Sequence, residues 1–287
     1  MSKKGLKTPL RYPGGKSRAC TKMGQFFPDL REYTEYREPF LGGGSVAIHI
    51  SKMYPNLKIW VNDFYEPLIN FWMNLQMFGT ELSTELKNLK IAHCNQDSAR
   101  CLFDVMKDSI NDKEKTNFDR AVAFYIVNKC SFSGLTESSS FSAQASDSNF
   151  SMRGIEKLPE YQEIISNWHI NGYSYEHLLE YNPHDGLFMY LDPPYDIKDN
   201  LYGKKGAMHK SFDHDKFAAD CDVHNNIKML ISYNSDQLVK DRFKNWNAGE
   251  FDLTYTMRSV GDYMSDQQKR KELLLFNYKL SEVTVDG

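Results

Sequence analysis

Asp192-Pro193-Pro194-Tyr195 follows directly on the apolar run Leu187–Leu191. The four residues fit the methylation of an amine carried on an aromatic ring. Such an amine is a poor nucleophile, because its lone pair is delocalised into the ring. A carboxylate, Asp192, and the carbonyl of Pro193 can both accept its N–H bonds. That draws the nitrogen towards tetrahedral geometry and frees the pair. The two prolines stiffen the backbone that must aim the carbonyl inward. Tyr195 offers a flat face for a base taken out of its stack. A position at the end of a strand is where ligands sit in open α/β sheets. The plain alternative is a Pro-Pro turn with a surface tyrosine.

A second constellation lies near the start of the chain. Gly42-Gly43-Gly44-Ser45-Val46-Ala47 fits G-x-G-x-x-[GA] after a strand, and Asp63 stands nineteen residues past Gly44. Glycines permit a tight turn and close approach of a ligand to backbone, and the acid suits ribose hydroxyls. The pattern points to an adenosine-containing cofactor; NAD, FAD and S-adenosyl-L-methionine (SAM) all fit it, as does a βα turn without ligand. A nicotinamide dehydrogenase explains this loop but not Asp192–Tyr195. Tyr12-Pro13-Gly14-Gly15-Lys16-Ser17 ends like a P-loop. The glycine required five residues before Gly15 is Leu10, so a P-loop is rejected.

These residues need strands and turns to hold them. Tyr36–Phe40 reads as a strand end, Ser45–Met53 as a helix, Lys58–Asn62 as a second strand and Glu66 to about Phe78 as a helix. That is the βαβ rhythm of a parallel sheet. From 79 to 168 the chain is rich in helix formers, with Phe118, Val122, Tyr125 and Ile126 at helical spacing. Ser131–Met152 holds nine serines in 22 residues, with Phe132, Phe141 and Phe150 among them, which argues against a pure linker. The rhythm resumes with strands at His169–Tyr173, Leu187–Leu191 and Lys228–Tyr233. Phe251–Met257 and Glu272–Tyr278 lack a helix between them and predict an antiparallel pair. The expectation is an α/β fold: a mixed sheet of about seven strands from residues 1–78 and 169–287, split by a mostly helical insert over 79–168.

Composition narrows the classes further. The chain of 287 residues is 41% apolar and 25% charged, as in ordinary soluble proteins, and no apolar run approaches a membrane helix. The basic N-terminus lacks the apolar stretch of a secretory signal, and five cysteines without a CxxC pair read as free thiols in a reducing compartment. No HxxxH or HxH pattern occurs, so no metal is expected, and His209, His214 and His224 read as solvated. Net charge is −3, from 35 basic and 38 acidic residues, which excludes a globally basic nucleic-acid binder. Residues 1–28 nevertheless carry seven Lys and Arg and no acid. On charge alone this is a frayed N-terminus. Lys198, Lys204, Lys205 and Lys210 face one acid, Asp199, over 198–211. Such local patches suit phosphates.

Taken in order, Tyr12–Lys16, Glu38-Pro39-Phe40-Leu41-Gly42-Gly43-Gly44, Asp63 and Asp192–Tyr195 resemble the Dam-type DNA adenine N6-methyltransferases. Lys129–Leu135 and Glu272–Tyr278 also look like family segments, so the resemblance spans nearly the whole chain. It implies a Rossmann-like SAM-dependent fold acting on double-stranded DNA. Tyr12 and Lys16 would help enclose SAM, Phe40, Gly42 and Gly44 would line its methionine side, and Asp63 would hold the ribose. Asp192 would sit between cofactor and target amine, with Pro193 and Tyr195 completing the amine site. The insert would be the target-recognition domain, with a hairpin after Leu135 entering the DNA. Relatives that read GATC carry an arginine two positions after Gly-Leu, where this chain has Thr136 and Glu137. With no basic residue between Ser131 and Met152, the resemblance does not extend to a GATC target. Arg153 is the nearest candidate for reading a base.

Further implications are a monomer or weak dimer without an obligate protein partner, in the cytoplasm of a bacterium or of a phage- or virus-infected cell. A place in restriction–modification is open. Cytosine C5 methylation needs a Pro-Cys nucleophile, and no such dipeptide occurs. Methylation of RNA or a protein glutamine shares the logic of Asp192–Tyr195, and a catalytically silent DNA binder shares the fold.

Overall fold

The computed structural model describes residues 7–12, 14–134, 139–195, 212–253 and 270–280. Five strands run parallel: β1 (Glu35–Glu38), β2 (Lys58–Asn62), β3 (His169–Asn171), β4 (Leu187–Leu191) and β5 (Lys228–Asn234). β7 (Arg270–Phe276) lies antiparallel between β5 and β6 (Asn247–Leu253). The seven-stranded order is β3-β2-β1-β4-β5-β7-β6. The order reverses between β1 and β4, so a crevice opens beyond their C-terminal ends. Both the strand number and the closing antiparallel pair agree with the sequence reading.

The differences have physical causes. β1 ends at Glu38 rather than Phe40, because Pro39 has no N–H for the ladder. β6 begins at Asn247, earlier than the apolar run; it is an edge strand and needs only one apolar side. The N-terminal segment is not frayed from Thr8 onward. Leu10, Ala19 and Met23 are buried in the main core, and Thr8 Oγ1 donates to the Gly43 carbonyl.

Side chains alternate across the sheet and build a core on each face. Phe188 and Tyr190 of β4 enter one, and Leu187, Met189 and Leu191 the other. The first core also takes Leu82, Phe103, Phe124 and Phe150 from the insert, so residues 79–168 continue the apolar packing of the sheet. Phe150 is fully buried and Phe141 packs on Phe103, which anchors the serine-rich stretch.

Helix α1 (Ser45–Met53) matches its expected bounds. Helix α2 (Glu66–Ala92) runs well past the expected end at Phe78, with non-helical φ −134° and ψ 34° at that residue. The next residue, Gly79, lies so close to Gln162 that an added Cβ would meet it at 2.7 Å. Gln162 Nε2 donates to the carbonyls of Gln76 and Met77, and its Oε1 accepts from Thr80 N–H. An inserted side chain thus satisfies the broken ladder and accounts for the kink. Helices α3 (Gln96–Ser109) and α4 (Asn117–Cys130) follow, capped by Asn95 and Thr116. α5 (Leu158–Ile165) carries Gln162. α6 (His214–Val223) covers the sheet between β4 and β5.

Candidate active site

β1 and β4 bring two carboxylates to the switch point. Glu38 ends β1 and Asp192 follows β4. Between them and the glycine loop lies a cavity of about 480 Å³, within the roughly 300–1,000 Å³ of small-molecule sites. Tyr12, Lys16, Phe40, Gly42, Asp63 and Asp192 line it, six of the seven residues expected to hold the cofactor. Five acids (Glu38, Asp63, Glu176, Asp192 and Asp213) and two lysines (Lys16 and Lys216) contribute to its wall. That excess of carboxylate suits a cationic ligand.

The seventh residue, Gly44, has another duty. It adopts φ +67°, and a Cβ there would meet Trp72 Cζ2 at 2.7 Å. The glycine lets the helix start pack against an indole whose Nε1 donates to the Gly42 carbonyl at 3.1 Å. At Gly42, φ +48°, a Cβ would lie 2.8 Å from the Tyr12 ring, so this glycine seats Tyr12 against the cavity. Asp63 accepts from the N–H groups of Gly42 at 2.9 Å and Tyr65 at 3.0 Å. These bonds fix the loop and leave lone pairs facing the cavity. Burial pushes the Asp63 carboxyl up to about 6 despite them.

Lys16 sits deeper than expected for a residue that only encloses a cofactor. It is 2% exposed, and its Nζ donates to both oxygens of Asp192 at 2.9 Å and to Tyr195 OH at 2.7 Å. It also approaches Glu272 Oε1 at 3.2 Å and donates to the Gly14 carbonyl. Tyr195 OH in turn donates to Glu272. Ser232 Oγ donates to Asp192 Oδ1 at 2.7 Å, which makes Tyr190 OH the donor to Ser232. Three of the carboxylate's roughly four lone-pair positions are thereby filled, and one on Oδ2 is left for an amine N–H. Burial raises the Asp192 carboxyl; Lys16 opposes the rise and Glu272 adds to it. The Glu38 carboxyl is also raised well above its usual range by burial, though Tyr36 OH donates to it.

Tyr195 does not present an open face here. Its ring stacks on Tyr233 at 6.0 Å, with Lys16 Nζ 4.8 Å from its centroid. Pro193 is buried beside Asp192. Glu38, Ser232 and Glu272 were assigned no role from sequence. The signal for Glu272 was an acid heading the otherwise apolar Leu273-Leu274-Leu275-Phe276. Ser232 offered none.

The nucleic-acid candidates divide. Arg153 is exposed on the short helix Met152–Ile155. Lys198, Lys204, Lys205 and Lys210 lie outside the described residues, as do residues 135–138 with Thr136 and Glu137. Where the chain is described again, Ser131 and Phe141 form one isolated antiparallel bridge and Ala143–Ser148 is a short helix. His214 is not solvated: its Nδ1 lies 2.6 Å from Tyr233 OH, and its ring packs on Phe212. His224 lies close to its own helix, with Nδ1 2.9 Å from the Asp220 carbonyl; His209 is outside the described residues. All five cysteines are free. Among the described residues no cluster could hold a metal ion and no helix is long and apolar enough to cross a membrane.

Comparison with known proteins identifies the family. Residues 12–257 match the model of the D12 class N6 adenine-specific DNA methyltransferases. The chain is 23% identical to the type II methyltransferase M1.LlaDCHI of Lactococcus lactis subsp. cremoris, over 96% of this chain and 97% of that protein. It is 24% identical to M.MjaIII of Methanocaldococcus jannaschii, over 95% and 99%. It is 21% identical to M.CviBI of Paramecium bursaria Chlorella virus NC1A, over 95% and 100%. The family match covers the glycine loop, the insert and Asp192–Tyr195 together. The chain therefore belongs to the D12 class of N6 adenine-specific DNA methyltransferases, enzymes that methylate the N6 amine of adenine in DNA.

Proposed function

We propose that the cavity binds SAM and that a target adenine from double-stranded DNA meets it above Asp192. The observation carrying this reading is the lone-pair position left on a half-buried carboxylate at the cavity wall, at the switch point of the sheet. The carboxylate-rich lining suits a cofactor that bears a sulfonium and an ammonium group. Gly42 and Phe40 contact its methionine side, Tyr12 closes over it and Asp63 accepts from the ribose hydroxyls. When bound, SAM supplies an electrophilic methyl group.

The chain's own residues do the rest. Asp192 accepts one N6–H, and the Pro193 carbonyl accepts the other. Together they withdraw the N6 lone pair from the ring and aim it at the methyl. Lys16 and Ser232 hold the carboxylate in that orientation. The extruded base, whose flipping costs a few kcal/mol, is received beside Tyr195. The proton lost from N6 passes to Asp192 as the N–C bond forms.

Residues 1–78 and 169–287 form the catalytic part, and 79–168 the target-recognition part. Arg153, Lys198, Lys204, Lys205 and Lys210 contact DNA, chiefly at phosphates. The relatives' type II designation makes a partner restriction enzyme a reasonable companion. The test is single-molecule modification sequencing of DNA from cells expressing the protein, beside an Asp192→Ala variant. N6-methyladenine confined to one short motif and lost in the variant is the expected result. Modified adenine persisting in the variant overturns the role of Asp192.

A further inference from the structure

Glu272 is 1% exposed and is the third residue of β7, yet the residues after it are Leu273, Leu274, Leu275 and Phe276. Burying a carboxylate in such a strand costs several kcal/mol unless other groups compensate. By alternation it points to the same face as Leu274 and Phe276, the face on which the N-terminal segment packs. β7 runs antiparallel to β5 and pairs Glu272 with Asn234, the last residue of β5. This places its carboxylate at the C-terminal end of β5, beside Lys16 and Tyr195 rather than in the cavity wall.

There Lys16 Nζ has at least five oxygens around it among the described residues, on Gly14, Asp192, Tyr195 and Glu272, and only three protons to give. The ammonium is shared between two carboxylates. We infer that Glu272 is a positioning residue for methyl transfer, which draws part of the Lys16 charge away from Asp192 and holds the Tyr195 hydroxyl in place. An Asp192 paired with an undivided ammonium is a weaker acceptor for the N6 protons. An Asp192 with no ammonium keeps only the rise that burial imposes, which favours the protonated form, a poorer acceptor. Glu272 keeps the carboxylate between these limits.

The groups facing Asp192 come from every neighbouring element: Lys16 from the N-terminal segment, Glu38 from β1, Tyr190 from its own strand, Ser232 from β5 and Glu272 from β7. Of these, Glu272 is the nearby acid that also binds Lys16. Removing its charge ends a like-charge repulsion and returns the whole ammonium to Asp192. Both changes lower the Asp192 titration midpoint.

The inference rests on Asp192 being the amine acceptor, and the experiment separates the two. The Asp192 carboxyl is titrated by carbon-13 NMR in the cofactor-free full-length protein, wild type against Glu272→Gln, and kcat and KM are then measured against pH. Glu272→Gln keeps an acceptor for the Tyr195 hydroxyl and loses the charge. The expected result is a midpoint lowered by about one pH unit. The acid limb of kcat should move the same way, with kcat down about 10- to 100-fold and the KM for SAM within about twofold. Glu272→Asp, which withdraws the charge by one methylene, should show a smaller shift, and serves if Glu272→Gln does not accumulate folded. An unmoved midpoint in either folded variant, with Asp192→Ala inactive, overturns the role of Glu272 alone. Turnover retained by Asp192→Ala overturns the amine-site reading beneath it.

Discussion

Asn128 and Arg11, 117 positions apart, bind each other through both partners' polar groups. Arg11 N–H donates to Asn128 Oδ1 at 2.9 Å, and Asn128 Nδ2 donates to the Arg11 carbonyl at 2.7 Å. The same Nδ2 lies 3.2 Å from the Gly134 carbonyl, and Arg11 Nη1 donates to the Ser131 carbonyl at 2.7 Å. One fully buried amide thus ties the segment carrying Tyr12 and Lys16 to the turn that leads into the expected recognition hairpin. Replacing it with leucine strands two backbone carbonyls and an N–H. Asn128→Leu should cost about 3 kcal/mol by denaturant unfolding, and it should lower kcat/KM on DNA more than SAM affinity. Equal losses in both would argue against a link between recognition and catalysis.

Gly44 tests the packing half of the glycine loop. An alanine there is held at φ +67°, with its methyl 2.7 Å from the Trp72 ring. The left-handed conformation alone costs about 1–2 kcal/mol, and Trp72, fully buried, has little room to yield. Gly44→Ala should lower Tm by several degrees in calorimetry. The paired variant Gly44→Ala/Trp72→Phe should recover part of the clash.

Asp63 sets a pH dependence for cofactor binding. Its carboxyl is pushed up to about 6 by burial, above its ordinary 3.8. Ionised Asp63 therefore costs folding stability above pH 6, and this cost disappears as pH falls from about 6 towards 4. A cationic cofactor with ribose hydroxyls favours the ionised form. Affinity for SAM should consequently fall about tenfold for each pH unit below 6, with one proton released on binding. Titration calorimetry in buffers of differing ionisation heat measures both effects. Asp63→Asn should bind more weakly at pH 7, and its affinity should no longer depend on pH in this window.

Lys204 and Lys205 are expected to neutralise phosphates. The double variant Lys204→Ala/Lys205→Ala should weaken binding to all DNA sequences alike. It should flatten the slope of log affinity against log salt by about 2. Unchanged affinity and slope would remove these lysines from the interface.

The sheet was legible in the sequence wherever strands were apolar and bounded by turn residues. Leu187–Leu191 and Lys58–Asn62 have the same bounds in the structure. β1 was harder. Glu38 is buried against Tyr36 OH, and Glu35 and Arg37 are buried as a pair because Arg37 also bonds the carbonyls of Leu178 and Tyr181, more than 140 positions away. The end of α2 was misread because Gln162, from another helix, repairs the ladder at Phe78.

Short-range chemistry was decided by the chain itself. A carboxylate before two prolines and an aromatic, and glycines before a helix, impose their geometry through neighbouring bonds. Asp192, Gly42 and Asp63 could therefore be chosen from residue type and spacing. Tertiary structure decided which groups share a charge. Lys16 lies 176 positions from Asp192, and β7 brings Glu272 to the same ammonium from the far end of the chain. Coulomb interactions and hydrogen bonds depend on distance in space and on burial, and neither is written in the separation of residues along the sequence.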